Sequence, residues 1–151
     1  MIPKLVDIGS PWKVLPPGVH DATLQKIEDV FATNNHRIHL FNGFKRAVKA
    51  LCKAGCKTIY LDGSFITEKP LPGDYDACWC SSGVNLQKLD PVFLDFSNKR
   101  AAQKQKYYGE FFPMDLETSP GTFFLDFFQT DRFTGKAKGI IRLKFNNMVK
   151  R

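Results

Sequence analysis

Apolar residues fall at helical spacing in two early stretches of the chain and alternate with polar ones in later stretches. Leu24, Ile27, Val30 and Phe31 form one stripe, which predicts a helix capped by Asp21 and running to about Phe31. Phe41, Phe44, Val48 and Leu51 form a second, on a helix from about Arg37 to Lys53. Lys45, Arg46, Lys49 and Lys53 lie on its other faces and Gly55 ends it. Lys57-Thr58-Ile59-Tyr60-Leu61 is a β-rich run that enters the breaker Asp62-Gly63-Ser64. Residues 65–73 hold Pro70, Pro72 and Gly73 and predict a loop or one short turn. Residues 74–80 alternate as a strand, closed by Ser81-Ser82-Gly83.

Asp90-Pro91 has the form of an N-cap followed by proline at the first helical position, before the apolar turn Val92, Phe93, Leu94 and Phe96. A polar, basic helix is expected from Asn98 to Tyr108. A strand is expected from Glu110 to Glu117, with Pro113 marking an edge or a bulge. Ser119-Pro120 predicts another helix start, leading into Phe123, Phe124, Phe127 and Phe128; a strand is the competing assignment for that run. Gly139 to Phe145 predicts the last strand, and residues 146–151 a frayed basic tail. Residues 1–18 are an extended arm, because Pro3, Pro11, Pro16, Pro17 and Gly18 forbid a continuous helix; Trp12, Val14 and Leu15 are its expected anchors. The order predicts one α/β or α+β domain over 1–151, with a small mixed sheet of about four strands flanked by helices.

Composition narrows the class. With 151 residues, 43% hydrophobic and 13% aromatic, the chain is long and apolar enough to bury a core without disulfides. No stretch has the length of a membrane span, and no secretory signal opens the sequence, so a cytoplasmic protein is expected. Cys52, Cys56, Cys78 and Cys80 are then free thiols. Their spacings lack the two-residue knuckle of zinc sites, which favours buried small hydrophobes over a metal centre. The net charge of +7 favours phosphate-bearing partners, an RNA or nucleotide among them.

The chemistry concentrates between Leu61 and Asp76. A strand delivers the small-residue turn Gly63-Ser64, and ten residues after Ser64 a second strand presents Asp74-Tyr75-Asp76. Residues i and i+2 of a strand project to the same side, so the two carboxylates share one space. Held that close they repel unless a cation lies between them, and Mg²⁺ or Mn²⁺ with phosphate oxygens suits such ligands. Gly63 permits close backbone approach, and the Ser64 hydroxyl with nearby N–H groups can hold phosphate oxygens.

Asp62-Gly63-Ser64, nine residues and then Asp74-Tyr75-Asp76-Ala77 resemble the signature of the nucleotidyltransferase superfamily, which includes DNA polymerase beta, poly(A) polymerases, CCA-adding enzymes and minimal nucleotidyltransferases. The stretch Gly63 to Thr67 with Lys69, Pro72, Asp74 and Asp76 is similar to a bacterial and phage family of nucleotidyltransferase-like proteins. The segments Leu15 to His20, Phe127-Phe128-Gln129 and Lys138 to Ile141 extend that likeness over nearly the whole chain. The resemblance implies metal-dependent transfer of NMP from an NTP such as ATP to a hydroxyl of RNA, of a tRNA 3′ end or of a protein side chain, in a toxin–antitoxin or phage-defence setting. It implies that Asp74 and Asp76 hold the ions, that Gly63, Ser64 and Lys69 serve the triphosphate, and that a third carboxylate on a neighbouring strand completes the site. Asp115 is the best-placed candidate, with Glu117, Asp126 or no third acid as alternatives.

The competing expectation is an inactive module of the same fold that binds RNA or a partner protein through its basic surface. Lys99, Arg100, Lys104 and Lys106, beside Tyr107 and Tyr108, are either a nucleic-acid groove or a solvated helix face. An exposed Phe123–Phe128 patch would instead indicate a protein interface. His36 and His39 have no evident acid partner. The absence of a nucleophile elbow and of a Walker loop leaves acyl transfer and P-loop chemistry unsupported.

Overall fold

The computed structural model describes residues 1–114, 117–119 and 122–144. In chain order the elements are β1 (Gly18–Asp21), α1 (Leu24–Phe31), α2 (Asn35–Lys53), β2 (Thr58–Asp62), β3 (Tyr75–Trp79), α3 (Ser97–Tyr107), β4 (Gly109–Pro113), β5 (Glu117–Ser119), β6 (Thr122–Phe123), α4 (Phe124–Phe128) and β7 (Gly139–Lys144). Short 3-10 turns at Ser64–Ile66 and Pro91–Leu94 join them. Five strands form a mixed, open sheet in the order β1-β7-β2-β3-β4, one more than the four expected, while β5 and β6 form a separate hairpin. β7 runs antiparallel to β2 and β2 to β3, whereas β4 lies parallel to β3 on the sheet edge, where Pro113 costs no ladder bond.

Alternation along the strands sorts the two faces. Ile59, Leu61, Tyr75, Ala77, Trp79, Phe111, Ile141 and Leu143 bury against α1, α2 and α3 in the main core. Tyr60, Cys78, Phe112 and Ile140 point the other way and join Phe128 of α4 in a smaller cluster. The same parity carries Asp62, Asp76 and Glu110 onto the second face, beside that cluster.

Several local expectations change. Asp21 caps nothing: it ends β1 and forms a two-point ion pair with Arg142 on β7, at 2.6 and 2.9 Å, while Thr23 caps α1 through the Lys26 N–H. The extended strand draws Asp21 towards the basic neighbour opposite it in the ladder. Of the arm's expected anchors, Val14 and Leu15 are buried, but Trp12 is 40% exposed. Val30 also faces solvent, at 41%. The Phe-rich run begins as a strand residue and becomes helical only over Phe124–Phe128. Residues 115–116, 120–121 and 145–151, with the Asp115 assignment, the Pro120 helix start and the basic tail, lie outside the described residues. Among the described residues no helix is long and apolar enough to cross a membrane.

A candidate metal and polyphosphate site

The site lies at one end of the sheet. β2 ends at Asp62 and turns at Gly63, whose φ of +89° and ψ of −173° suit glycine alone. A Cβ there would stand 3.0 Å from the Asp76 backbone nitrogen and 3.1 Å from its carboxylate. The bare Cα therefore lets the Gly63-Ser64 turn close directly onto β3. Gly109 does the same on the other side: a Cβ there would meet the Tyr75 ring at 2.4 Å. Its absence lets β4 start flush with β3, so that Glu110 pairs in register with Asp76.

Asp74, Asp76 and Glu110 converge, with one carboxylate oxygen from each lying within 4.8 Å of the others. The strand alternation brings Asp74 to the side of Asp76, and the parallel neighbour supplies Glu110. The Asp76 Oδ1 atom is buried and has no hydrogen-bond partner among the described residues, a costly state for a carboxylate oxygen unless a ligand satisfies it. Burial, reinforced by the hydrogen bond to Glu110 and by the charges of Asp62 and Asp74, holds Asp76 well above the usual carboxylate range. Burial also pushes Glu110 up, but Arg100, Asp76 and Lys104 outweigh it, so Glu110 falls below its ordinary value. Without a cation, then, its surroundings disfavour the charged form of Asp76, while Arg100 and Lys104 favour that of Glu110. Asp74 is raised by burial and by Glu110, against Lys104, Arg100 and Lys69.

Cations surround these acids. Arg100 Nε donates to Glu110 Oε1 at 2.7 Å and Lys104 Nζ stands 3.6 Å from the same oxygen. The Arg100 guanidinium lies 5.0 Å over the Phe112 ring, which stacks on Phe124 at 4.2 Å. Asn98, Lys99 and Arg100, which carry it, have φ of +50°, +55° and +63°. Left-handed backbone costs a non-glycine residue roughly 1–2 kcal/mol, so this turn holds Arg100 in place under strain. On the opposite flank, Asp62 is Cα partner to Asp76 and its carboxylate bonds Lys138 Nζ at 2.8 Å, with side chains only 5% and 14% exposed. The second face of the sheet thus carries a row of charges: Lys138, Asp62, Asp76, Glu110, Arg100.

The loop between Ser64 and Asp74 is fixed from below by the start of α2. Arg37, 3% exposed, donates to the carbonyls of Phe31, Phe65, Thr67 and Lys69. Asn34 donates to Pro70 O at 2.9 Å, and His36 Nε2 to Pro72 O. This anchoring places Lys69 close enough to act on Asp74.

Among the sequence-predicted residues, Gly63, Ser64, Lys69, Asp74 and Asp76 gather at this end of the sheet. Asp126 sits exposed on α4 and takes no part in the acid cluster. The third described acid beside the pair is Glu110. The sequence carries a signal for it: Asp76 and Glu110 each stand one residue inside the start of neighbouring parallel strands, although only the register reveals that they are neighbours. The basic stretch of α3 divides. Arg100 and Lys104 face the acids, Lys106 pairs with Asp90 at 2.5 Å, Tyr107 is buried on Phe93, and Tyr108 stacks on His39 at 4.2 Å. The described cysteines are free: Cys52, Cys56 and Cys78 are buried and Cys80 is half-buried.

Residues 10–144 match the model of a family described as "Family of unknown function (DUF6932)", and the chain belongs to that family. No curated protein and no solved structure matches the chain.

Proposed function

We propose that the protein is a metal-dependent nucleotidyltransferase that moves NMP from an NTP to a hydroxyl acceptor. The observation that carries this reading is the convergence of Asp74, Asp76 and Glu110, with an Asp76 Oδ1 that is buried and unpartnered among the described residues, beside the Gly63-Ser64 turn. An all-oxygen donor set of carboxylates suits Mg²⁺ or Mn²⁺. A bound divalent ion there would neutralise polyphosphate charge and acidify the acceptor hydroxyl.

The chain's own residues supply the rest. Asp74, Asp76 and Glu110 would hold the ion. The Ser64 hydroxyl and Lys69 hold phosphate oxygens at the turn. Gly63, lacking a side chain, leaves the phosphates room to approach. In the reaction the acceptor oxygen forms a bond to the α-phosphorus and the bond to the bridging α–β oxygen breaks. Pyrophosphate leaves, and the hydroxyl proton passes to a carboxylate of the cluster or to solvent. The net charge of +7, beside the likeness in sequence to nucleotidyltransferases, favours an RNA acceptor such as a tRNA 3′ end.

The test is incubation with α-labelled NTPs, Mg²⁺ and either tRNA or cell lysate. Label transfer by the wild type, lowered about 100-fold or more by Asp76→Asn and by Glu110→Gln, is expected. Equal transfer by those variants would place the chemistry elsewhere. Nucleotide binding without any transfer would leave a binding module of the same fold.

A further inference from the structure

We infer that Arg100 is a built-in counter-ion of the acid cluster, yielding Glu110 to a divalent ion only when a polyphosphate arrives to take the guanidinium, so that the site binds metal and polyphosphate together and free metal poorly. This deepens the proposed function, on which it rests for the identity of the site, and it names the preferred ligand as a metal-chelated polyphosphate.

The argument begins with charge. Asp74, Asp76 and Glu110 bring up to three negative charges to one point, and Arg100, Lys104 and Lys69 bring three positive ones around it. A free divalent ion therefore meets a cluster already neutralised. It must also compete for Glu110 Oε1, which Arg100 holds at 2.7 Å and Lys104 approaches to 3.6 Å. A polyphosphate reverses both terms, since its oxygens accept from Arg100 and Lys104 and its charge restores the attraction for metal.

The local structure suits such an exchange. The guanidinium lies 5.0 Å over the Phe112 ring, itself stacked on Phe124, a contact that does not depend on the bond to Glu110. Its backbone is the left-handed turn Asn98–Arg100 at the head of α3, and the right-handed alternative would simply continue that helix. Lys138 makes a useful contrast. It is buried against Asp62, which lies outside the converging three, and its contact does not compete with them.

Three dissociation constants measure this on the intact protein: free Mn²⁺ by electron paramagnetic resonance, tripolyphosphate alone in EDTA by calorimetry, and the preformed Mn²⁺–tripolyphosphate complex. In the wild type, the complex should bind at least about tenfold more tightly than either component, and linkage makes the enhancement reciprocal. Arg100→Gln should bind free Mn²⁺ about fivefold to tenfold more tightly and lose most of the enhancement, while Arg100→Lys recovers part of it. Circular dichroism and a thermal melt establish that each variant folds, and Lys104→Gln provides a second, milder removal of charge in the same direction. Tight free Mn²⁺ binding by the wild type with less than about twofold enhancement would overturn the inference, as would an Arg100→Gln variant, folded, whose free Mn²⁺ affinity is no greater than wild type. Coupled binding without NMP transfer would sink the transferase reading and leave this inference standing, whereas transfer with uncoupled binding would do the reverse.

Discussion

Replacing Gly63 by alanine tests the joint between the turn and the acids. Two costs add. The backbone at φ +89° and ψ −173° lies in a region that is essentially reserved for glycine, and holding another residue there costs about 1–3 kcal/mol. The new Cβ would also press on the Asp76 nitrogen at 3.0 Å and its Oδ2 at 3.1 Å, both closer than ordinary contact, and overpacking of this kind costs about 1–3 kcal/mol. The nitrogen belongs to a strand paired on both sides and cannot retreat, so the carboxylate must. A total near 3 kcal/mol corresponds to a loss of roughly 6–12 °C in Tm for a chain of this size. Gly135→Ala is the control: it also has positive φ, +74°, but nothing lies within 4 Å of the added Cβ, so it should cost only about 1 kcal/mol. Urea denaturation gives both values, and titration with the Mn²⁺–tripolyphosphate complex reads the carboxylate. Gly63→Ala should lose metal affinity and Gly135→Ala should keep it. Equal destabilisation of the two variants, or unchanged metal binding by Gly63→Ala, would refute the claim that this turn is built against Asp76.

Two further predictions concern the buried charges. Lys138→Met strands the buried Asp62 carboxylate and should cost about 3–5 kcal/mol at neutral pH in urea, with most of the loss recovered in the double variant Asp62→Asn/Lys138→Met; a single variant as stable as wild type would contradict it. Because burial raises Asp62 even beside Lys138, that cost should shrink as pH falls and the carboxyl becomes neutral. Asp76 sets a pH dependence of its own. Its folded-state pKa lies well above the ordinary 3.8, so its stabilising contribution is complete below that value and is lost as pH rises through the folded pKa. In metal-free buffer the Tm advantage of Asp76→Asn over wild type should therefore grow from about pH 4 towards neutrality, and a constant or shrinking difference in thermal melts would reject the upward shift of Asp76.

The architecture was legible where the signal is local. The stripe Phe41, Phe44, Val48 and Leu51 is buried on α2 as its spacing predicts, and the alternation through Asp74-Tyr75-Asp76 does place aromatic and acid on opposite sides. Cap assignment was weaker, because Asp21 and Thr23 are both good N-caps and only the ladder to Arg142 decides that Asp21 belongs to a strand. The third acid was the least legible part. Asp115 and Glu110 both follow α3, and a single sequence does not say where β4 meets β3. That register depends on Gly109 clearing the Tyr75 ring and on the Tyr75 hydroxyl donating to Tyr107 O at 2.7 Å, contacts between residues more than thirty positions apart. Arg37 was hidden for a similar reason. Within a helical pattern it resembles any basic residue, yet the carbonyls it gathers come from the end of α1 and from the loop beyond Ser64.

The central claim is that Asp74, Asp76 and Glu110 together hold a divalent ion beside the Gly63-Ser64 turn. Anomalous diffraction at the manganese edge from crystals soaked in Mn²⁺ and a non-hydrolysable NTP analogue addresses it directly. The account predicts a peak bounded by those three carboxylates, with the analogue's phosphates lying towards Ser64 and Lys69. Manganese bound elsewhere with the three carboxylates left without an ion, or phosphates lying away from that turn, would contradict it.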